Sequence, residues 1–307
     1  MKRFIIRNLI FFGLLLAVLG SICAVELYYE VTAYSKEVVA PESAEILVCN
    51  DSQLEMGVNP DVDAAFFNFS AAGRMMDQAY LAMLDVLKAN PGRFKTVLID
   101  ISPITAIDTF DQPISQMGFA GQYYLLHWLH PQENMRKMDG QLAVFRDNMV
   151  GRRLRLLSRA LRGKVEFKSS IRGGFKAVDE TLAVGRQAGF TNELAARAKA
   201  VSEAAPLSPQ APIFRIAKAM IAQVRAYGAE PIVMTSPWHE ALLAACARDR
   251  LETFTRVVSA FAASYGCRYV DLLRRQLPDE CWYDSHHLNV KGARLFTPLL
   301  HQALEED

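Results

Sequence analysis

The chain has 307 residues, a formal net charge of +1, 51% hydrophobic and 22% charged residues, and a mean hydropathy of +0.08. That apolar content excludes disorder, and the near-neutral balance gives no chain-wide attraction to nucleic acid. Five cysteines with no CxxC pair exclude a disulfide-rich scaffold and a cysteine zinc cluster.

The first element is a basic flank, Lys2, Arg3 and Arg7, followed by the charge-free run Leu9 to Val25. As a helix that run spans roughly 26 Å, just short of the hydrocarbon core of a bilayer; Arg7 can snorkel and Leu27 to Tyr29 extend it. The basic flank predicts a cytoplasmic N-terminus and a body outside the cytoplasm, periplasmic or extracellular. A cleaved signal peptide is the rival reading, with Ser21 and Cys23 as small residues before a cut. The run is longer than a typical signal core, which favours an uncleaved single-pass anchor over residues 1–30.

Residues 31–44 read as a short spacer. From residue 45 to 307 strand-like runs alternate with helical ones. The strands expected are Glu45–Asn50, Phe66–Ser70, Lys95–Ile101, Glu230–Met234 and Cys267–Leu272. Amphipathic helices are expected at 74–90, 209–227, 238–264 and 290–305. Such alternation, with near-continuous apolar strands, predicts an α/β fold: a three-layer α/β/α sandwich on about five parallel strands, flavodoxin-like, with its site at the carboxyl ends of the strands. A helical insert at about 108–205 interrupts the rhythm. It holds the aromatic segment 121–130, with His127, Trp128 and His130, and the run Arg152 to Lys176, where nine basic residues face one acid, Glu166. That run reads as a solvated helix face or as a patch for anionic groups.

Two polar clusters carry chemistry. Asn50-Asp51-Ser52 follows the first strand, so Ser52 falls in the loop at its carboxyl end, where nearby N–H groups can hold an oxyanion. The same pair also serves as a plain turn or helix cap. Near the C-terminus stands Asp284-Ser285-His286-His287-Leu288-Asn289, with Asn289 a good N-cap for the final helix. A carboxylate three residues before a histidine in a turn can reach its Nδ1, fix the tautomer and leave Nε2 as a general base. A zinc site on His286 and His287 is disfavoured, because adjacent side chains are expected to diverge and no third ligand is near in sequence. No cofactor and no metal is expected. His239 follows the fourth strand and reads as structural or as a rim residue. Cys49 is expected to be buried in a strand, and Cys246, Cys267 and Cys281 could supply an extracytoplasmic disulfide.

Together, Asn50-Asp51-Ser52, the segment NFSAAG (68–73) and the closing DSHHLNVKGA (284–293) resemble the SGNH (GDSL-like) hydrolase superfamily over residues 45–307. The resemblance implies Ser52 as nucleophile, His287 as base and Asp284 as its orienting acid. It also implies that the N–H groups of Gly73 and Ser52 form the oxyanion hole. Two departures stand out: Asn50 replaces the usual first glycine, and Asp100-Ile101-Ser102-Pro103 replaces the block that carries an oxyanion asparagine. Ser102 is the candidate substitute. The anchor, the runs 51–60 and 68–80 and the insert are similar to envelope SGNH proteins of the DltD and alginate-acetylation type. That likeness implies a membrane-anchored esterase or acyltransferase acting on acyl esters of an envelope glycan or polymer, beside a membrane-bound O-acyltransferase and with no nucleic-acid partner. The alternative is a non-catalytic accessory or binding protein that keeps the fold. A phosphate-binding flavodoxin-like domain is disfavoured, because 50–56 lacks the glycines such a loop needs.

Overall fold

The structure is a computed structural model that describes residues 2–107, 126–127, 129–133, 135, 173–181 and 190–306. Its body is built on five parallel strands, β1 (Ile46–Val48), β2 (Phe66–Asn68), β3 (Thr96–Asp100), β4 (Glu230–Thr235) and β5 (Arg268–Asp271). They lie in the order β2-β1-β3-β4-β5. The chain passes from β1 outward to β2 and then crosses to β3 on the other side of β1. That reversal opens a crevice at the carboxyl ends of β1 and β3, the expected place for a site in a doubly wound sheet.

The side-chain period of two sorts each strand onto two cores. Leu47, Val97, Ile99 and Val233 face α3 (Met76–Ala89), α6 (Pro212–Ala226) and α8 (Arg248–Ser264). Ile46, Val48, Leu98, Ile232 and Met234 face Leu54 of α2 (Ser52–Gly57) and Phe296 and Leu300 of α9 (Val290–Glu305). Short helices α4 (Pro103–Ala106) and α7 (Glu240–Ala245) follow β3 and β4, and α5 (Phe190–Glu203) comes from the region expected as an insert. Most of 108–205, including Trp128 and residues 152–172, lies outside the described residues.

The single helix expected over 238–264 is two, α7 and α8, parted at Cys246 and Ala247, whose backbones are extended. Leu242 and Leu251 are both buried in the same core. In one unbroken helix they would sit roughly two and a half turns apart, on opposite faces. The break turns both inward, with His239 capping α7 through Nδ1, which accepts from Ala241 N at 3.1 Å.

At the N-terminus α1 (Lys2–Glu37) is one helix, and its stretch Arg3–Ser21 is long and apolar enough to cross a membrane or to serve as a signal sequence. The residues expected as a spacer are packed down. Residues 31–37 complete α1, and Tyr34, Val38, Ala40 and Ala44 are buried against the body. Tyr34 donates to Asp85 Oδ2 at 2.9 Å, and Asn90 clamps both Val38 O and Ala40 N.

Candidate active site

Asp51 caps α2, its carboxylate accepting from Gln53 N at 2.9 Å. Ser52 is therefore the first residue of α2, and its N–H has no acceptor within the helix. On the other side of the crevice, Asn289 caps α9, accepting from Lys291 N and Gly292 N at 3.0 Å each. The N–H of Asn289 is tied to Cys281 O at 3.0 Å, so the end of α9 lies against residues 280–281. A Cβ at Gly292 would collide with the Cys281 carbonyl, so glycine is required for that approach. The turn between is drawn tight by Asp284, whose Oδ1 accepts from His286 N at 3.0 Å and His287 N at 2.8 Å.

This framing brings the two sequence clusters together. Ser52 Oγ lies 2.7 Å from His287 Nε2, and His287 Nδ1 lies 2.7 Å from Asp284 Oδ2. Both ring nitrogens of His287 are thus engaged, one by the hydroxyl and one by the carboxylate. Burial works to raise the Asp284 pKa, but the hydrogen bonds and charges of His286 and His287 outweigh it and hold the carboxyl well below its usual range. A negative group against Nδ1 fixes the tautomer with Nε2 free to take the serine proton.

No family model matches the chain, and no curated protein matches it. Among solved structures it is similar to a protein from Bacteroides fragilis described as a putative acylhydrolase. The two are 12% identical, with 88% of this chain and 92% of that one covered, at a TM-score of 0.41.

The adjacent rings of His286 and His287 do not diverge as expected: their centroids are 3.8 Å apart at 44°. With Asp284 they gather three metal-type donors within 4.8 Å. Yet His287 spends both nitrogens on Ser52 and Asp284, an arrangement for proton transfer rather than ligation. His286 is buried, and that burial, with the charge of His287, pushes its pKa down to about 3, so the ring is neutral. Its Nδ1 lies 3.1 Å from Asp284 Oδ1, and its carbonyl accepts from Gln53 Nε2 at 3.3 Å. Ser285 donates to Glu193 Oε1 of α5 at 3.1 Å, and Glu193 also pairs with Arg197. Sequence reasoning missed Glu193, and no local spacing could have found it.

Two departures noted in the sequence touch each other. Asn50 Nδ2 donates to Asp100 O at 2.9 Å, joining the ends of β1 and β3 beneath Ser52, and Asn50 N donates to Ser70 Oγ at 3.0 Å. The Asp100 carboxyl is wholly buried; Oδ1 accepts from Ser236 N at 2.8 Å, and Oδ2 has no hydrogen-bond partner among the described residues. Burial, reinforced by the neighbouring Asp51 carboxylate, raises its pKa well above the usual range. Burial raises that of Asp51 as well.

Gly73 lies in the turn after β2 with φ +70°, a left-handed conformation that favours glycine. The same loop reaches the turn that carries Ser52 through Ala71 N, which donates to Asn50 O at 3.0 Å. Ser102 caps α4: its Oγ accepts from Thr105 N at 3.2 Å, and its own N–H donates to Thr105 Oγ1 at 2.8 Å. Its polar atoms are thus occupied locally. His239 stands edge-on to Trp282 at 5.6 Å, and His127 and His130 face Asp77 and Asp85 of α3. Cys49, Cys246, Cys267 and Cys281 are free and buried, so no disulfide joins the described cysteines.

Proposed function

We propose that the protein is a serine esterase or acyltransferase of SGNH type. It is held in a membrane by α1 and acts outside the cytoplasm on ester-linked acyl groups of a cell-envelope glycan or polymer. The observation that carries this reading is the unbroken line Ser52 Oγ, His287 and Asp284, with 2.7 Å at each step. Ser52 Oγ attacks the acyl carbonyl while its proton passes to His287 Nε2. The oxyanion is held by the N–H groups of Ser52 and Gly73. Collapse breaks the ester bond, and His287 returns the proton to the departing alcohol. In the second half the base takes a proton from water or from a glycan hydroxyl, and the acyl group leaves Ser52. Water makes the protein an esterase; a glycan hydroxyl makes it a transferase beside a membrane-bound O-acyltransferase. The basic flank Lys2, Arg3 and Arg7 supports the outward placement of the body.

A non-catalytic accessory role is the competing reading, and the local engagement of Ser102 as a helix cap is the observation on its side. A fluorophosphonate probe separates the two. The full chain is expected to be labelled at Ser52, and Ser52→Ala to lose the label with its fold intact. An unlabelled wild type, together with a Ser52→Ala chain that restores a deletion strain, overturns the catalytic reading.

A further inference from the structure

The course of α1 relative to the sheet bears on what substrate the site meets. Helix α3 links two parallel strands, β2 and β3, so it must run back from the carboxyl edge of the sheet to the amino edge. The end of α1 runs alongside it in the same sense. Tyr34 bonds Asp85 in the later part of α3, and Val38 and Ala40, further along, are clamped by Asn90 at its end. The Tyr34 ring also lies 6.1 Å from that of Phe69, the residue that follows β2 at the carboxyl edge. Traced backward from Tyr34, α1 therefore leaves the body past the carboxyl edge, the edge that carries Ser52 and His287.

The lengths agree. From Ser21, the last residue of the apolar stretch, to Tyr34 is about 20 Å of helix. From Asp85 back to Met76, at the carboxyl-edge end of α3, is about 14 Å. The hydrocarbon boundary then falls within several ångströms of the level of the site. No flexible spacer intervenes, since α1 is continuous to Glu37 and Tyr34 near its end, with Val38 and Ala40 just beyond it, is buried against the body.

From this juxtaposition we infer that the carboxyl edge of the sheet, with the Ser52–His287 pair, faces the bilayer that holds α1. The substrate is accordingly an acyl ester presented at the membrane surface rather than one free in solution. The substrate part rests on the hydrolase reading; the orientation rests on the helix geometry alone.

The test uses the full chain in phosphatidylcholine vesicles containing a headgroup spin-labelled lipid. A fluorophore is placed on Glu180→Cys or on Glu230→Cys. Both positions are exposed: the first lies just past Val178, which bonds the start of α9, and the second lies at the amino end of β4. Cys49, Cys246, Cys267 and Cys281 are buried, and Cys23 of α1 is replaced by Ser in both labelled chains, so that the fluorophore attaches at the introduced thiol. Quenching several-fold stronger at 180 than at 230 is expected; equal or reversed quenching overturns the orientation. A flexible Gly/Ser insertion of about ten residues after Tyr29 then releases the body. Hydrolysis of a long-chain p-nitrophenyl ester embedded in the vesicles is expected to fall about tenfold with p-nitrophenyl acetate turnover unchanged. Equal rates on both esters before and after insertion overturn the substrate claim. Fluorophosphonate labelling of the parent chain is scored separately, so a failed orientation leaves the Ser52 reading intact, and a failed label leaves the orientation intact.

Discussion

Asp284 grips His287 twice, accepting from its backbone N–H at 2.8 Å through Oδ1 and facing its Nδ1 at 2.7 Å through Oδ2. One carboxylate therefore sets both the turn and the ring. The two tasks can be separated by substitution. Asp284→Asn keeps an acceptor for the backbone but turns an amide toward Nδ1 or forces the other tautomer. The turn is expected to survive with a melting temperature close to that of the parent, while kcat on an activated ester falls on the order of 10⁴-fold with little change in KM. Asp284→Ala is expected to lose both kcat and several degrees of melting temperature.

His286 makes the loop acid-sensitive. Its folded pKa is about 3 against an ordinary 6.5. Below pH 6.5 the unfolded chain takes up a proton that the folded chain refuses, so stability falls as pH drops from about 6.5 toward about 3, by up to about 1.4 kcal/mol per pH unit. Asp284, held below its usual range, adds stability that is fully present above the unfolded value of 3.8 and is lost below it. Asp51 and Asp100, raised by burial, act in the opposite direction. The isolating measurement is a comparison of urea unfolding between pH 7 and pH 4. Replacing His286 with Gln should flatten the decline relative to the parent, and parallel curves would remove His286 as its source.

Glu193 reaches the loop from α5, accepting from Ser285 at 3.1 Å and lying 3.8 Å from His286 Nδ1. It touches neither Ser52 nor His287, so it acts as a positioning residue. Glu193→Ala is expected to lower kcat by about ten- to a hundredfold, the scale of a small misplacement of reacting groups, with KM nearly unchanged. Glu193→Gln, which keeps an acceptor for Ser285, should recover most of the loss. A change in stability alone, with kcat intact, would leave Glu193 a purely structural contact.

The strands and the two ends of the site were legible because both are local. Each strand is a short apolar run closed by a polar turn, and Asp51, Asp284, His287 and Asn289 announce their caps and contacts within three residues. What escaped was set by packing. The break at Cys246 lets Leu242 and Leu251 face one core, which no local periodicity announces. Residues 31–44 read as a short spacer, yet Tyr34 and Asn90, far apart in sequence, bind them to the body. Glu193 stands 92 residues from Ser285, beyond any periodicity. At position 50 the motif's usual glycine is absent, and the asparagine there makes a bond that glycine could not.

That bond gives the last prediction. Asn50 Nδ2 donates to the Asp100 carbonyl at 2.9 Å across the carboxyl ends of β1 and β3, wholly out of solvent. Asn50→Gly removes the donor and leaves a buried carbonyl unpaired, a loss of about 1–3 kcal/mol. It also loosens the backbone directly before Asp51, the cap that sets the first turn of α2. The variant should therefore unfold at lower denaturant and label more slowly at Ser52, both effects arising from one contact. Asn50→Asp is the sharper probe. It keeps the shape but replaces the donor by an oxygen facing the Asp100 carbonyl, close to two carboxyls whose pKa values burial already raises. It should be less stable than Asn50→Gly at pH 8 and recover toward pH 5 as the added carboxyl takes a proton and can donate again. If Asn50→Gly matches the parent in both unfolding and labelling, the contact between the two strand ends does not support the turn that carries Ser52.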